Sequence, residues 1–167
     1  MKKRIIIGLV LFLLMCVGGL FWYDATYSMD EVESYEIGNP QAEKSVLIAT
    51  QGSEYKNALT DSLVNYLSPY NVYISVQDVN LLSNVNVNDW NAIVIMHTWE
   101  VWKPQEDAKA FLNDHYDASK MTVLCTSGGG DEMVDGVDAI TGASIMKDLP
   151  EHFNQIKSKL KGILALE

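Results

Sequence analysis

Apolar and polar positions along this chain follow two periods. Residues 46–49 (VLIA), 92–96 (AIVIM) and 121–125 (MTVLC) are short continuous apolar runs, the pattern of strands buried on both faces. Residues 71–79 (NVYISVQDV) alternate and read as a further strand, second in chain order. Leu59, Leu63, Tyr66 and Leu67 recur at helical spacing and predict a helix over 54–67, stopped near Ser68-Pro69. Ala108, Phe111 and Leu112 mark the inner face of another helix, with Pro104 as its expected first residue. Ile145, Leu149, Phe153, Ile156, Leu160 and Leu164 predict a long last helix from about Ser144 to Leu164, kinked or restarted by Pro150.

Strand, helix, strand, strand, helix, strand, helix is the alternation of an α/β fold, a parallel sheet with helices on both faces. The Asn-rich residues 80–90 are too broken for a full helix, so the second crossover reduces to a turn or a single helical turn. Right-handed crossovers give the order second-first-third-fourth, and residues 136–140 offer a short fifth strand at the edge. The unit 44–66, a buried strand running through a polar turn into an amphipathic helix, opens a doubly wound domain. Its turn, residues 50–53, lies where such folds bind anions.

The N-terminus has a different pattern. Lys2, Lys3 and Arg4 precede residues 5–23, a charge-free stretch of 19 residues that is long enough to span a bilayer. The cations are expected on the cytoplasmic side, with the domain outside, and Phe21, Trp22 and Tyr23 as an interfacial aromatic belt. A cleaved signal peptide would want a shorter apolar core, and Leu20 to Tyr23 continue the run past Gly18-Gly19. A lipoprotein signal would want a small residue before Cys16, where Met15 stands. The expected layout is an uncleaved anchor (1–23), an acidic tether (24–43) lifting the domain off the membrane, and the α/β domain (44–167).

Charge narrows the partners. Of 12 Lys plus Arg, three precede the span, leaving nine against 22 acidic residues, or −13. That argues against nucleic acid or anionic lipid as a partner. No Arg lies beyond the span, so no guanidinium is present to clamp a phosphate. Cys16 and Cys125 are too far apart in context to pair, and the three His show no metal-ligand spacing. Asp131, Glu132, Asp135 and Asp138 match no cation loop and read as a solvated acidic segment.

With these elements in place, residues 45–128 resemble a flavodoxin. The most telling piece is WNAIVIMHTWEVWKPQEDAKAFL, residues 90–112, together with Thr-Ser-Gly-Gly after the fourth strand. The resemblance implies non-covalent FMN at the carboxyl ends of the strands, and electron transfer. Carried over position by position, Thr50, Gly52 and Ser53 match the hydroxyl- and glycine-rich phosphate loop, with Lys56 as the nearby cation. Glu54 and Tyr55 depart from it, and a carboxylate beside a phosphate is repulsive. Residues 98–102 correspond to the aromatic loop over the flavin: Thr98, with Trp99 and Trp102 to sandwich the ring. Ser127 and Gly128 belong to the same rim. The alternative for the two indoles is that one packs on the sheet edge and the other marks a protein contact.

A second motif follows. Residues 138–144, DAITGAS, are similar to the D-x-x-[ST]-G-A-[ST] signal of FMN-binding domain proteins of sodium-pumping and ferredoxin-linked NADH reductases. That resemblance implies FMN joined through its phosphate to Ser144, with Thr141 beside it. The plainer reading is that Thr141 or Ser144 caps the last helix. Two functions therefore stand at this level. One is a membrane-anchored, extracytoplasmic FMN protein passing electrons to a membrane redox partner, its flavin free or tied at Ser144. The other is a scaffold or binding module of the same fold without a cofactor. No nucleophile–base pair suggests a hydrolase.

Overall fold

The computed structural model describes the backbone of residues 2–27 and 29–166 and the side chains of 3–22 and 29–166. Helix α1 (Lys2–Tyr27) stands apart from the domain, with Lys3–Trp22 long and apolar enough to cross a membrane and none of that window buried within the chain. Of the expected aromatic belt, Phe21 and Trp22 are exposed, and the Tyr23 side chain lies outside the described residues.

The domain is a mixed α/β unit on a mostly parallel seven-stranded sheet. Its strands are β1 (Tyr35–Ile37), β2 (Lys44–Thr50), β3 (Val72–Asp78), β4 (Ala92–Glu100), β5 (Lys103–Pro104), β6 (Met121–Thr126) and β7 (Ala139–Gly142). They lie in the order β1-β3-β2-β4-β6-β7, with β5 hairpinned onto β4. β3, β2, β4, β6 and β7 are mutually parallel, and β1 and β5 antiparallel to their neighbours. Val46, Leu47, Ile48 and Ala49 are fully buried, as are Ala92 to Met96, because neighbouring strands pair on both sides and helices cover both faces.

Alternate residues of each central strand feed two cores. Val46, Ile48, Val94 and Met96 pack with α2 (Glu54–Leu67) and α4 (Leu149–Ile163) through Leu59, Leu63, Ile156 and Leu160. Leu47, Ala49, Ile93 and Ile95 pack on the other face with Ala108, Phe111 and Leu112 of α3 (Glu106–His115). Each such fully buried aliphatic side chain contributes about 1.5–3 kcal/mol. The second crossover is two short 3₁₀ turns, Val79–Asn84 and Val87–Asp89. The Asp78 carboxylate caps the first by accepting from Asn80 N at 2.9 Å.

Several boundaries differ from the sequence reading, among them the edge strand expected at 136–140, which runs Ala139–Gly142. Pro104 does not open a helix; it pairs with Trp99 in the β4–β5 hairpin, and Gln105 caps α3 by accepting from Ala108 N at 2.6 Å. The last helix does not begin at Ser144; a 3₁₀ turn (Met146–Asp148) precedes α4, and Pro150 sits in the first turn of α4, where its missing N–H costs nothing. Within the segment read as a tether, β1 adds antiparallel to the free edge of β3, Tyr35 opposite Val76 and Ile37 opposite Ile74. Residues 30–37 (DEVESYEI) alternate only over Tyr35-Glu36-Ile37, too short a run among carboxylates to announce an edge strand.

Candidate functional site

The expected site is the rim above the carboxyl ends of the parallel strands. The chain from α1 reaches this rim first: Asp30 bridges Gly52, with Asp30 N donating to Gly52 O at 3.0 Å and Gly52 N to Asp30 O at 2.6 Å. Val32 N then donates to Asp78 Oδ2 at 2.9 Å, and β1 carries the strap down the sheet edge. A Cβ on Gly52 would lie 2.7 Å from Asp30 O, so only glycine admits so close a crossing.

The turn after β2 is engaged within the chain, in part by the strap. The Gly52 N–H is spent on Asp30, and Gln51 N donates to Met96 O at 3.3 Å. The Ser53 hydroxyl caps α2, accepting from Lys56 N at 3.1 Å. The Thr50 hydroxyl donates to Gln51 O at 3.1 Å. The residues as seated fit a phosphate in this loop poorly: its central N–H is covered by the chain's own backbone and the Thr50 hydroxyl is spent on Gln51 O, which leaves the Ser53 O–H to donate.

Lys56 points inward. Its ammonium is fully buried, hydrogen-bonded to the Thr98 hydroxyl and capped by Met29 Sδ at 3.7 Å. Burial pulls its pKa down to about 8, against the opposing pull of Glu100 and Cys125. Thr98 is committed on every side: its N–H donates to Gln51 Oε1 at 2.7 Å, and its hydroxyl meets Thr126 Oγ1 at 3.0 Å. Gln51 Nε2 donates in turn to Glu100 Oε1 at 3.0 Å.

Below this network lie two groups the sequence did not single out. His97 is fully buried, and neither ring nitrogen has a hydrogen-bond partner among the described residues. Burial and then the Lys56 charge push its pKa down to about 4; the Thr98 backbone favours the charged form without a hydrogen bond of acceptable geometry. Cys125 is buried in β6, and desolvation raises its thiol to about 12. The Trp99 indole N–H lies by that sulfur and favours its thiolate, yet has no well-placed acceptor.

The two indoles part company. Trp99 is half-buried in β4, whereas Trp102 is 90% exposed at the tip of the β4–β5 hairpin. Val101 and Trp102 form its two-residue turn with φ of 50° and 60°. Among the described residues no ring contact joins Trp99 to Trp102, Ser127 is buried with Oγ accepting from Gly130 N at 2.9 Å, and Gly128 is exposed with open space around it.

The DAITGAS segment is largely strand. Asp138 pairs with Lys159 at 2.7 Å, and Thr141 and Gly142 of β7 lie beside Cys125 and Thr126. Gly142 carries the ring of His152: an added Cβ would sit 2.4 Å from Cε1 and 2.6 Å from Nε2. His152 is buried and hydrogen-bonded through Nδ1 to the Tyr55 hydroxyl. Desolvation, then Asp148, raises that phenol to about 12. The glycine of the motif thus has a packing role of its own. Ser144 is exposed in the connection to the 3₁₀ turn, five residues before α4 and so away from its N-terminus.

No protein-family model matches this chain, and no curated protein matches it either. Among the described residues no cluster of His, Cys, Asp or Glu could hold a metal ion.

Proposed function

We propose that this protein is a membrane-anchored, outward-facing binding module of flavodoxin-like architecture that does not hold FMN in its phosphate loop. The parallel order β3-β2-β4-β6-β7 and the helices on both faces support that architecture. The cations before the apolar helix support an outward domain. One observation carries the binding-module reading: the Asp30–Gly52 bridge closes the loop where a flavin phosphate would rest, and Lys56 beneath it is sealed under Met29. Fold alone does not confer the cofactor.

A second reading is favoured by a different observation. Ser144 is exposed beside Gly142 and Ala143 on the open rim, and a covalent FMN there would not need the loop. That flavin would supply one- and two-electron chemistry, with the acidic residues 131–138 disfavouring its anionic reduced form.

One purification separates the two. The full chain, expressed with and without a flavin transferase and purified in detergent, is expected colourless in both cases and unable to take up added FMN. Flavin released by acid would overturn the first reading in favour of loop binding. Flavin that survives acid, and disappears in Ser144→Ala, would establish the covalent reading.

A further inference from the structure

Outside α1, the exposed large apolar side chains among the described residues are Tyr35, Leu81, Val101, Trp102, Met133, Ile145 and Met146. All but Tyr35, which lies in edge strand β1, fall in connections that leave the carboxyl end of β3, β4, β6 or β7. The connections at the opposite end of the sheet carry no exposed large apolar side chain among the described residues. Such one-sidedness marks a contact surface rather than scattered surface hydrophobes.

The same end receives the chain from α1. The charge-free stretch ends at Tyr23, and residues 24–27 add about one helical turn, roughly 6 Å. Three further steps reach Asp30 on Gly52, at most about 10 Å of chain. β1 then runs away from the rim, antiparallel to β3. The strap therefore brings the apolar end of the domain to within about 16 Å of the hydrocarbon edge, and a headgroup layer is itself about 5–8 Å deep.

The hairpin tip is built against local preference. Both turn residues adopt left-handed backbone, where Asn-Gly is favoured and a β-branched residue such as Val101 is an outlier. The turn presents a valine and an indole side chain where polar turn residues would fold more readily. Indoles concentrate at the membrane–water boundary.

We propose that the rim above the strand tips is a lipid-contact surface that seats the domain on the bilayer spanned by α1, with Val101, Trp102, Ile145 and Met146 in the headgroup layer. This rests on the reading of α1 as a membrane anchor. The lipid is zwitterionic on charge grounds, because the exported part carries −13 (nine cations against 22 acids) and Asp131, Glu132 and Asp135 flank the rim. Seated so, the domain turns its rim to the lipid.

The test uses the full chain in phosphatidylcholine vesicles, with and without brominated acyl chains. The Trp102 signal is the fluorescence lost in Trp102→Ala, a change at an exposed position that spares the core. That signal is expected to be blue-shifted and at least twofold quenched by brominated lipid. The Trp90 signal, isolated with Trp90→Phe at the opposite end of the sheet, is expected to be unaffected. A Trp102 signal quenched by aqueous iodide and not by lipid overturns the proposal. So does one shielded from both quenchers, which would assign the surface to a second copy or another protein. Alkaline carbonate separates the two layers of the argument: release of the chain from vesicles defeats the anchor itself, whereas a retained chain with a water-quenched Trp102 defeats only the seating.

Discussion

Asp30 and Gly52 exchange two backbone hydrogen bonds across the mouth of the turn after β2, at 3.0 and 2.6 Å. This antiparallel bridge ties the segment leaving α1 to the first parallel strand. It converts what the charge pattern reads as a free spacer into part of the domain, and it occupies the donor that an anion would need.

Gly52→Ala is expected to break that bridge, because its Cβ would lie 2.7 Å from a backbone oxygen rather than a movable side chain. Losing two hydrogen bonds costs about 1–3 kcal/mol. Hydrogen exchange at residues 30 and 52 is expected to accelerate while the core of β2 stays protected. Unchanged exchange at both would contradict the clamp.

Gly142→Ala is expected to destabilise by about 1–3 kcal/mol through overpacking against His152. In a His152→Ala background the ring is gone, and the same substitution is expected to cost much less. A double-mutant cycle by urea unfolding reads the coupling. Additive effects would mean that the glycine serves something other than this ring.

Lys56 gives stability a pH dependence of definite sign. Its pKa falls from 10.5 to about 8 on folding, so between those values the unfolded chain holds more protons and stability rises with pH. The rise is of the order of 3 kcal/mol. Cys125 and Tyr55, raised to about 12 by burial, act oppositely above their unfolded values of 9 and 10. The clean window is therefore pH 8–9. Lys56→Met is expected to abolish the rise there, measured by denaturant midpoints of both proteins, and to gain stability at pH 7.

His97 works at the acid end. Its pKa drops from 6.5 to about 4, so its contribution is full above pH 6.5 and is lost as pH falls toward 4. His97→Leu removes a buried ring with two unpartnered nitrogens and is expected to be neutral or stabilising at pH 7. Between pH 6.5 and 5 the variant is expected to lose less stability than the parent. Parallel acid limbs would show that another group controls this range.

Replacing Val101 and Trp102 together by Asn and Gly is expected to stabilise the hairpin by about 1 kcal/mol, because both positions have positive φ. The thermal midpoint of the full chain reads this. A fall would mean that the exposed indole supports the fold.

The sequence by itself determined the framework. Continuous apolar runs at 46–49, 92–96 and 121–125 require strands covered on both sides. The spacing of Leu59, Leu63 and Leu67 ended a helix within its true bounds, 54–67. The charge-free stretch set a span apart from the domain. Only the tertiary structure decided what the rim offers. Residue type at Thr50, Gly52, Ser53 and Thr98 advertises anion and flavin chemistry, but whether a donor is free depends on what folds against it. Here the strap from residue 30 takes the Gly52 N–H, Thr50 donates to Gln51 O, Ser53 caps its own helix, and Lys56 spends its ammonium inward on Thr98. Partners 22 to 97 residues apart, Asp30 with Gly52 and Tyr55 with His152, leave no local period to read, since they meet through the sheet rather than along the chain.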